Sequence, residues 1–114
     1  MFYGCNALTS LDVYSFNTSN VTNMSYMFNR CSSLTNLDLS NFSIPKTTDI
    51  RYMFSGASRL TNIDISSFEF SSTVQTTGMF NSVPSSSLIY VKNDTSKEFI
   101  LKVRNDLTNV QIKS

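Results

Sequence analysis

Residues 27–52 read MFNRCSSLTNLDLSNFSIPKTTDIRY. Within this stretch Leu34, Leu37 and Leu39 form L-x-x-L-x-L, where apolar and polar residues alternate as in a short strand with one buried face. The alternation sends Leu37 and Leu39 inward and Asn36, Asp38 and Ser40 outward. Around its start the period changes. Met24, Met27, Phe28 and Cys31 lie at i, i+3, i+4 and i+7, the spacing of one apolar helical face. A strand followed by one or two helical turns cannot cover its own apolar face, so the unit must stack on neighbours like itself.

The neighbours are present. Met-Phe recurs at 1–2, 27–28, 53–54 and 79–80, with a spacing of 26 each time. Leu8, Leu34 and Leu60 align at this period, as do Leu11, Leu37, Ile63 and Ile89, and Val13, Leu39, Ile65 and Val91. Phe16, Phe42 and Phe68 form a further column, so seven of the nine phenylalanines fall in two columns. The spacing predicts an α/β repeat architecture with parallel strands near 10–14, 36–40, 62–66 and 88–92. Short helical turns would pack on the opposite, convex side, with the phenylalanines between the layers. Thr22 and Thr48 precede those turns as N-caps, and Gly4 and Gly56 sit near their ends, where a left-handed residue is useful.

L-x-x-L-x-L is the strand signature of leucine-rich repeats. Here Phe16, Phe42 and Phe68 replace the usual Asn or Cys of that motif. The full pattern of Met-Phe, L-x-x-L-D-L and Phe resembles the 26-residue bacterial surface-protein repeat of BspA-like leucine-rich repeat proteins, over roughly residues 1–92. The resemblance implies a right-handed solenoid and a secreted or surface-anchored bacterial protein engaged in adhesion. It carries no catalytic residues to transfer.

Residues 1–92 then hold about three and a half repeats, and residues 93–114 close the array within a single domain. Thr95-Ser96-Lys97-Glu98 fits a capping box, and Phe99, Ile100 and Val103 give one apolar face, so a helix is expected near 96–104. Leu107, Val110 and Ile112 repeat the spacing of Leu8, Leu11 and Val13, which predicts a last strand near 109–113. At the other end Met1 already stands in the helical half of a repeat with no polar cap before it. That reads as a fragment of a longer array, or as an open coil through which two copies would self-associate.

Composition narrows the function classes. The chain has 114 residues, nine Lys/Arg against eight Asp/Glu, and no histidine. A formal charge of +1 gives no drive towards nucleic acid or an anionic membrane surface. The missing histidine removes the commonest general base and metal ligand. No apolar run approaches the roughly 20 residues of a membrane span, and there is no signal peptide in the chain. Asp12, Asp38 and Asp64 share one outward column, where like charges destabilise a sheet. Hydroxyls or backbone amides nearby would offset the repulsion. The ladder therefore reads as structural, although Ser10, Asn36 and Asn62 add oxygens of the kind calcium takes. Cys5 and Cys31 stack in the column of Ala57 and Val83, which reads as small, apolar and inward. Two buried thiols are expected there, with a disulfide between adjacent coils as the other reading. No cofactor motif and no metal site stands out, and with no pocket, nucleophile or base partner in view the expectation is a protein that is not an enzyme.

The leading expectation is a binding or adhesion module that contacts a protein or a glycan through the sheet face. Ser10, Asp12, Tyr14, Asn36, Asp38, Ser40, Asn62, Asp64, Ser66 and Tyr90 are the candidate contact residues. The rival is a structural spacer of a larger surface protein with no ligand of its own, which the uniformity of the columns favours.

Overall fold

The computed structural model describes residues 22–40, 42, 49–70 and 74–113. It contains strands β1 (Asn36–Asp38), β2 (Asn62–Asp64) and β3 (Leu88–Val91), helix α1 (Asp94–Val103) and strand β4 (Val110–Ile112). The four strands form one parallel sheet in the order β1-β2-β3-β4. The expected strand at 10–14 lies outside the described residues, as do Gly4 and Thr48.

Register follows the columns. Leu37 faces Ile63 and Ile63 faces Ile89 across the sheet. Ile89 then faces Val110, so the last strand arrives 21 positions on rather than 26, with the alignment read from Leu107, Val110 and Ile112. Each strand is only three or four residues long. Immediately after β1 and β2 the chain turns, with the Phe42 N–H donating to the Leu39 carbonyl and the Phe68 N–H to the Ile65 carbonyl. These turns deliver Phe42 and Phe68 into the core, where both are buried. Four methionines and the phenylalanines at 28, 54 and 80 join them in that core. Phe28, Phe54 and Phe80 stack nearly parallel, with centroids 5.9 and 5.5 Å apart. Cys31 is buried beside Ala57 and Val83, in the place its column predicts; Cys5 lies outside the described residues.

The expected helical turns on the opposite side are not helical. Residues 25–30, 51–56 and 77–82 form linked turns. Alternate N–H groups point in two directions. Tyr26, Phe28 and Arg30 donate to the carbonyls of Arg51, Met53 and Ser55 in the next repeat, at 3.0, 2.9 and 2.7 Å. Met27, Asn29 and Cys31 donate back three residues within their own repeat. Tyr52, Phe54 and Gly56 repeat the first pattern towards Thr77, Met79 and Asn81. A left-handed residue every fourth position makes the alternation work. The columns of Tyr26, Tyr52 and Gly78, and of Arg30, Gly56 and Ser82, all have positive φ. An isolated helix of two turns has too few bonds to offset its nucleation. Here half of the N–H groups bond to a neighbour instead, so apolar residues still recur at i, i+3 and i+4 without a helix.

Among the glycines of these columns, Gly78 is the one where space is tightest. The Tyr52 ring lies where a Cβ would stand, 2.3 Å from its Cε1. Tyr26 stacks on Tyr52 at 5.1 Å in turn, so the stack of rings ends over a glycine.

Side-chain hydroxyls bind the repeats together. Thr61 Oγ1 donates to the Thr35 carbonyl, Ser67 Oγ to Leu39, Ser87 Oγ to Leu60 and Thr108 Oγ1 to Ser85. The chain's 20 serines and 12 threonines are in part this mortar. The carbonyls of Thr35, Leu39 and Ser85 also accept from backbone N–H groups, so there the hydroxyls add a second bond between layers.

The closing unit differs from the expectation at its start. Helix α1 begins at Asp94 because Asn93, not Thr95, is its N-cap, with its side chain accepting from the Ser96 N–H at 3.0 Å. Asn caps as well as Ser or Thr, and this choice adds two residues. Ile100 is buried, and Phe99 stacks on Phe70 at 4.5 Å, which docks the helix on the preceding repeat. Arg104 follows the helix and donates to the carbonyls of Phe80 and Val83 while pairing with Asp106. Its guanidinium takes over acceptors on the last turn segment. On the final strand Ile112 keeps its register with Val91 but stays exposed at 43%, because among the described residues nothing packs over it.

Candidate functional site: the outer face of the sheet

The side chains that alternate outward from β1, β2 and β3 meet in a shallow hollow. Asn36, Leu37, Asp38, Asn62, Asp64 and Tyr90 line it, and its volume is about 230 Å³. The register explains the grouping, since Asn36 faces Asn62 and the next pairs are Asp38 with Asp64 and Asp64 with Tyr90. Five of the ten expected contact residues are therefore brought together. Ser10, Asp12 and Tyr14 lie outside the described residues. Ser40 and Ser66 stand at the rim, in the turns that leave the strands.

Those two serines show what the aspartates do for the fold. The Ser40 N–H donates to Asp38 Oδ1 at 2.9 Å. The Ser66 N–H and hydroxyl donate to Asp64 Oδ1 at 3.0 and 2.6 Å. Each aspartate side chain thus holds the turn that carries the chain away from its strand, a role suited to a short carboxylate that bonds two residues ahead. Among the described residues these are the amides and hydroxyl that offset the repulsion within the column.

A further group was not expected. Lys113, just beyond β4, donates from Nζ to Asp64 Oδ2. Asp64 is only 7% exposed, whereas Asp38 is exposed and makes no ion pair among the described residues. Burial raises the Asp64 pKa, and this is the largest single influence. The bonds from Lys113 and from the Ser66 hydroxyl and amide outweigh it together, so the carboxyl is held below its ordinary value. The same bond holds the Lys113 ammonium above its ordinary value, helped by the more distant charge of Asp38. The signal for Lys113 lay in the last strand: it follows Gln111 by two residues, and Gln111 faces Tyr90.

The hollow offers unused polar groups of both kinds. Asn62 and the Tyr90 hydroxyl make no side-chain hydrogen bond among the described residues, and the Asn36 amide nitrogen donates only a long bond of 3.3 Å to Thr35. Asp38 keeps its second carboxylate oxygen open. Among the described residues no group of three or more Asp, Glu, Cys or His could hold a metal ion. Nor, among them, is any helix long and apolar enough to cross a membrane.

The geometry defines a tandem-repeat protein with a parallel sheet of short strands, one face of which carries amides, carboxylates and a phenol. The chain belongs to the family described as Mycoplasma protein of unknown function, DUF285, which matches residues 1–91. The match stops at the last residue of β3, before the helix and strand that close the array. No curated protein and no solved structure matches the chain.

Proposed function

We propose that the chain is a non-enzymatic binding module of a bacterial surface or secreted protein, of the BspA-like leucine-rich repeat kind. In this reading residues 1–92 form a right-handed solenoid and residues 93–114 are its cap. The sheet face contacts a protein or glycan partner. The observation that supports it most is the hollow, where Asn36, Asp38, Asn62 and Tyr90 point polar groups outward that the fold leaves unused. Polar groups in this position are bonded to water and can exchange it for the hydrogen bonds of a partner.

The spacer reading draws on a different observation. Asp38 and Asp64 each hold a turn, so their recurrence has a structural cause and no ligand is needed to explain it. Beads coated with the full chain, applied to cultured epithelial cells, separate the two. A binding module loses adherence in Asn62→Ala and Tyr90→Ala and keeps it in Arg51→Ala, on the opposite side. A spacer gives beads that adhere no better than uncoated ones, whichever variant coats them.

A further inference from the structure

We propose that the hollow across β1, β2 and β3 is a sugar subsite, which takes one residue of a glycan through its hydroxyls and one C–H face. The inference rests on the binding reading above and narrows its partner to a carbohydrate.

Three features point to that chemistry. The first is the balance of donors and acceptors. Asn36 and Asn62 each carry an amide that donates and accepts, Asp38 has an open acceptor oxygen, and the Tyr90 hydroxyl does both. A sugar hydroxyl donates and accepts at once, and neighbouring hydroxyls suit planar amide and carboxylate groups. A lysine or arginine side chain only donates, so it would leave the two amide N–H groups and the phenol proton without a use. The second is charge. Lys113 already neutralises Asp64, so the hollow holds one uncompensated carboxylate rather than two. A cationic peptide segment would find half the attraction that the aspartate column first suggests. The third is shape and the ring. The half-exposed Tyr90 stands at one side of the hollow, where an aromatic face can lie against the C–H face of a pyranose. A volume of about 230 Å³ is small beside the usual 300–1,000 Å³ of a drug-sized pocket and suits a single sugar residue. A shallow site of this kind binds weakly, with Kd on the order of 1 mM for a monosaccharide.

The same hydroxyl-directed reading distinguishes the residues. Asn62, between Asn36 and Leu88 in the register, is central, and its replacement should abolish binding. Tyr90→Phe keeps the ring and should weaken binding about threefold, whereas Tyr90→Ala should weaken it tenfold or more. Lys113→Ala bares a second carboxylate and should not strengthen binding.

The test is a titration of the isotope-labelled full chain with the methyl glycosides of galactose, mannose, fucose and N-acetylglucosamine, followed by NMR. Side-chain amide signals of asparagines report directly on the site. The expected result is saturable shifts of the Asn36 and Asn62 amide signals with at least one glycoside at millimolar concentration. These shifts should be lost in Asn62→Ala and unchanged in Lys102→Ala, on helix α1. An oligolysine peptide is titrated in parallel. Shifts of the same signals with oligolysine and with none of the glycosides overturn the sugar proposal, while the sheet face stands as a binding surface. No shifts with either probe overturn the sugar proposal too; the bead assay above then decides whether any partner exists. Folding of each variant is checked by the dispersion of its backbone spectrum, so a loss of binding is not confused with a loss of structure.

Discussion

The two edges of each repeat solve the same problem by different means. On the sheet edge, short strands exchange backbone bonds in parallel register, and side chains alternate inward and outward. On the turn edge, alternate N–H groups reach the next repeat while the others bond back three residues. Both edges stack at the period of 26, and both supply stacked apolar columns to one core. The comparison teaches that a period in the sequence reports which positions become neighbours, but not the backbone conformation that joins them.

The core should respond alike from either side. Phe42, delivered by the turn after β1, is 1% exposed. Phe42→Ala should cost about 3–5 kcal/mol in a denaturant series, as expected for truncating a buried aromatic. Phe99→Ala should cost less, because Phe99 is half-buried and packs at the edge of the core against Phe70. Equal costs would make the closing helix as integral as the repeats.

The turn edge depends on backbone conformation, and Gly78 probes it. Gly78→Ala must hold a left-handed φ of 66° and displace the Tyr52 ring. The conformation alone should cost about 1–2 kcal/mol. In a double-mutant cycle, Tyr52→Ala should recover the part due to the clash and leave the part due to φ. A substitution at the sheet face, such as Asn62→Ala, should stay within about 0.5 kcal/mol of the parent. A reversal of that order would break the contrast between the edges.

Within the sheet edge, Asp38 and Asp64 sharpen the comparison. Asp38→Asn should leave stability within about 0.5 kcal/mol of the parent. Asp64→Asn should lower the melting temperature, because it leaves Lys113 without its partner, and the drop should shrink at high salt. The pH dependence has a defined sign. The Asp64 pKa is lower folded than unfolded, so its contribution is present above the ordinary carboxylate range of about 4 and is lost as pH falls through and below it. Lys113 is raised, so its share is present at neutral pH and lost only as pH rises past its ordinary alkaline value. Lys113→Ala should therefore flatten the acid limb of the stability curve. The smallest expected effect is that of calcium. Melting temperatures with calcium and with a chelator should coincide, since turns and a lysine take the other aspartate oxygens and the one open oxygen of Asp38 falls far short of the roughly six to eight oxygens calcium takes. A calcium-dependent rise, lost in Asp38→Asn, would show the column to be a metal site.

These contrasts explain what could be read from residues alone. The sheet was legible because Leu37, Ile63 and Ile89 carry a two-residue alternation that only one register can bury. The turn edge was not, because Met24, Met27 and Phe28 have helical spacing in turns as well as in helices. What separates the two is a positive φ at Tyr26 and Arg30, residue types that announce no such conformation. At the candidate site, register gave the grouping of Asn36, Asp38, Asn62, Asp64 and Tyr90. Lys113 escaped because it reaches across β3 from the far edge of the sheet, 49 residues from Asp64 in sequence. Arg104 escaped for a similar reason: its targets are main-chain carbonyls, which leave no mark in the sequence.

The central claim is that the repeats stack in parallel with Leu37, Ile63, Ile89 and Val110 in one row. Nuclear Overhauser contacts between backbone protons on an isotope-labelled chain test it most directly. The account predicts cross-strand contacts that link Leu37 to Ile63, Ile63 to Ile89 and Ile89 to Val110, each with the pattern of parallel pairing. Contacts of antiparallel type, or a row displaced by one residue so that Leu37 meets Asn62 or Asp64, would contradict it.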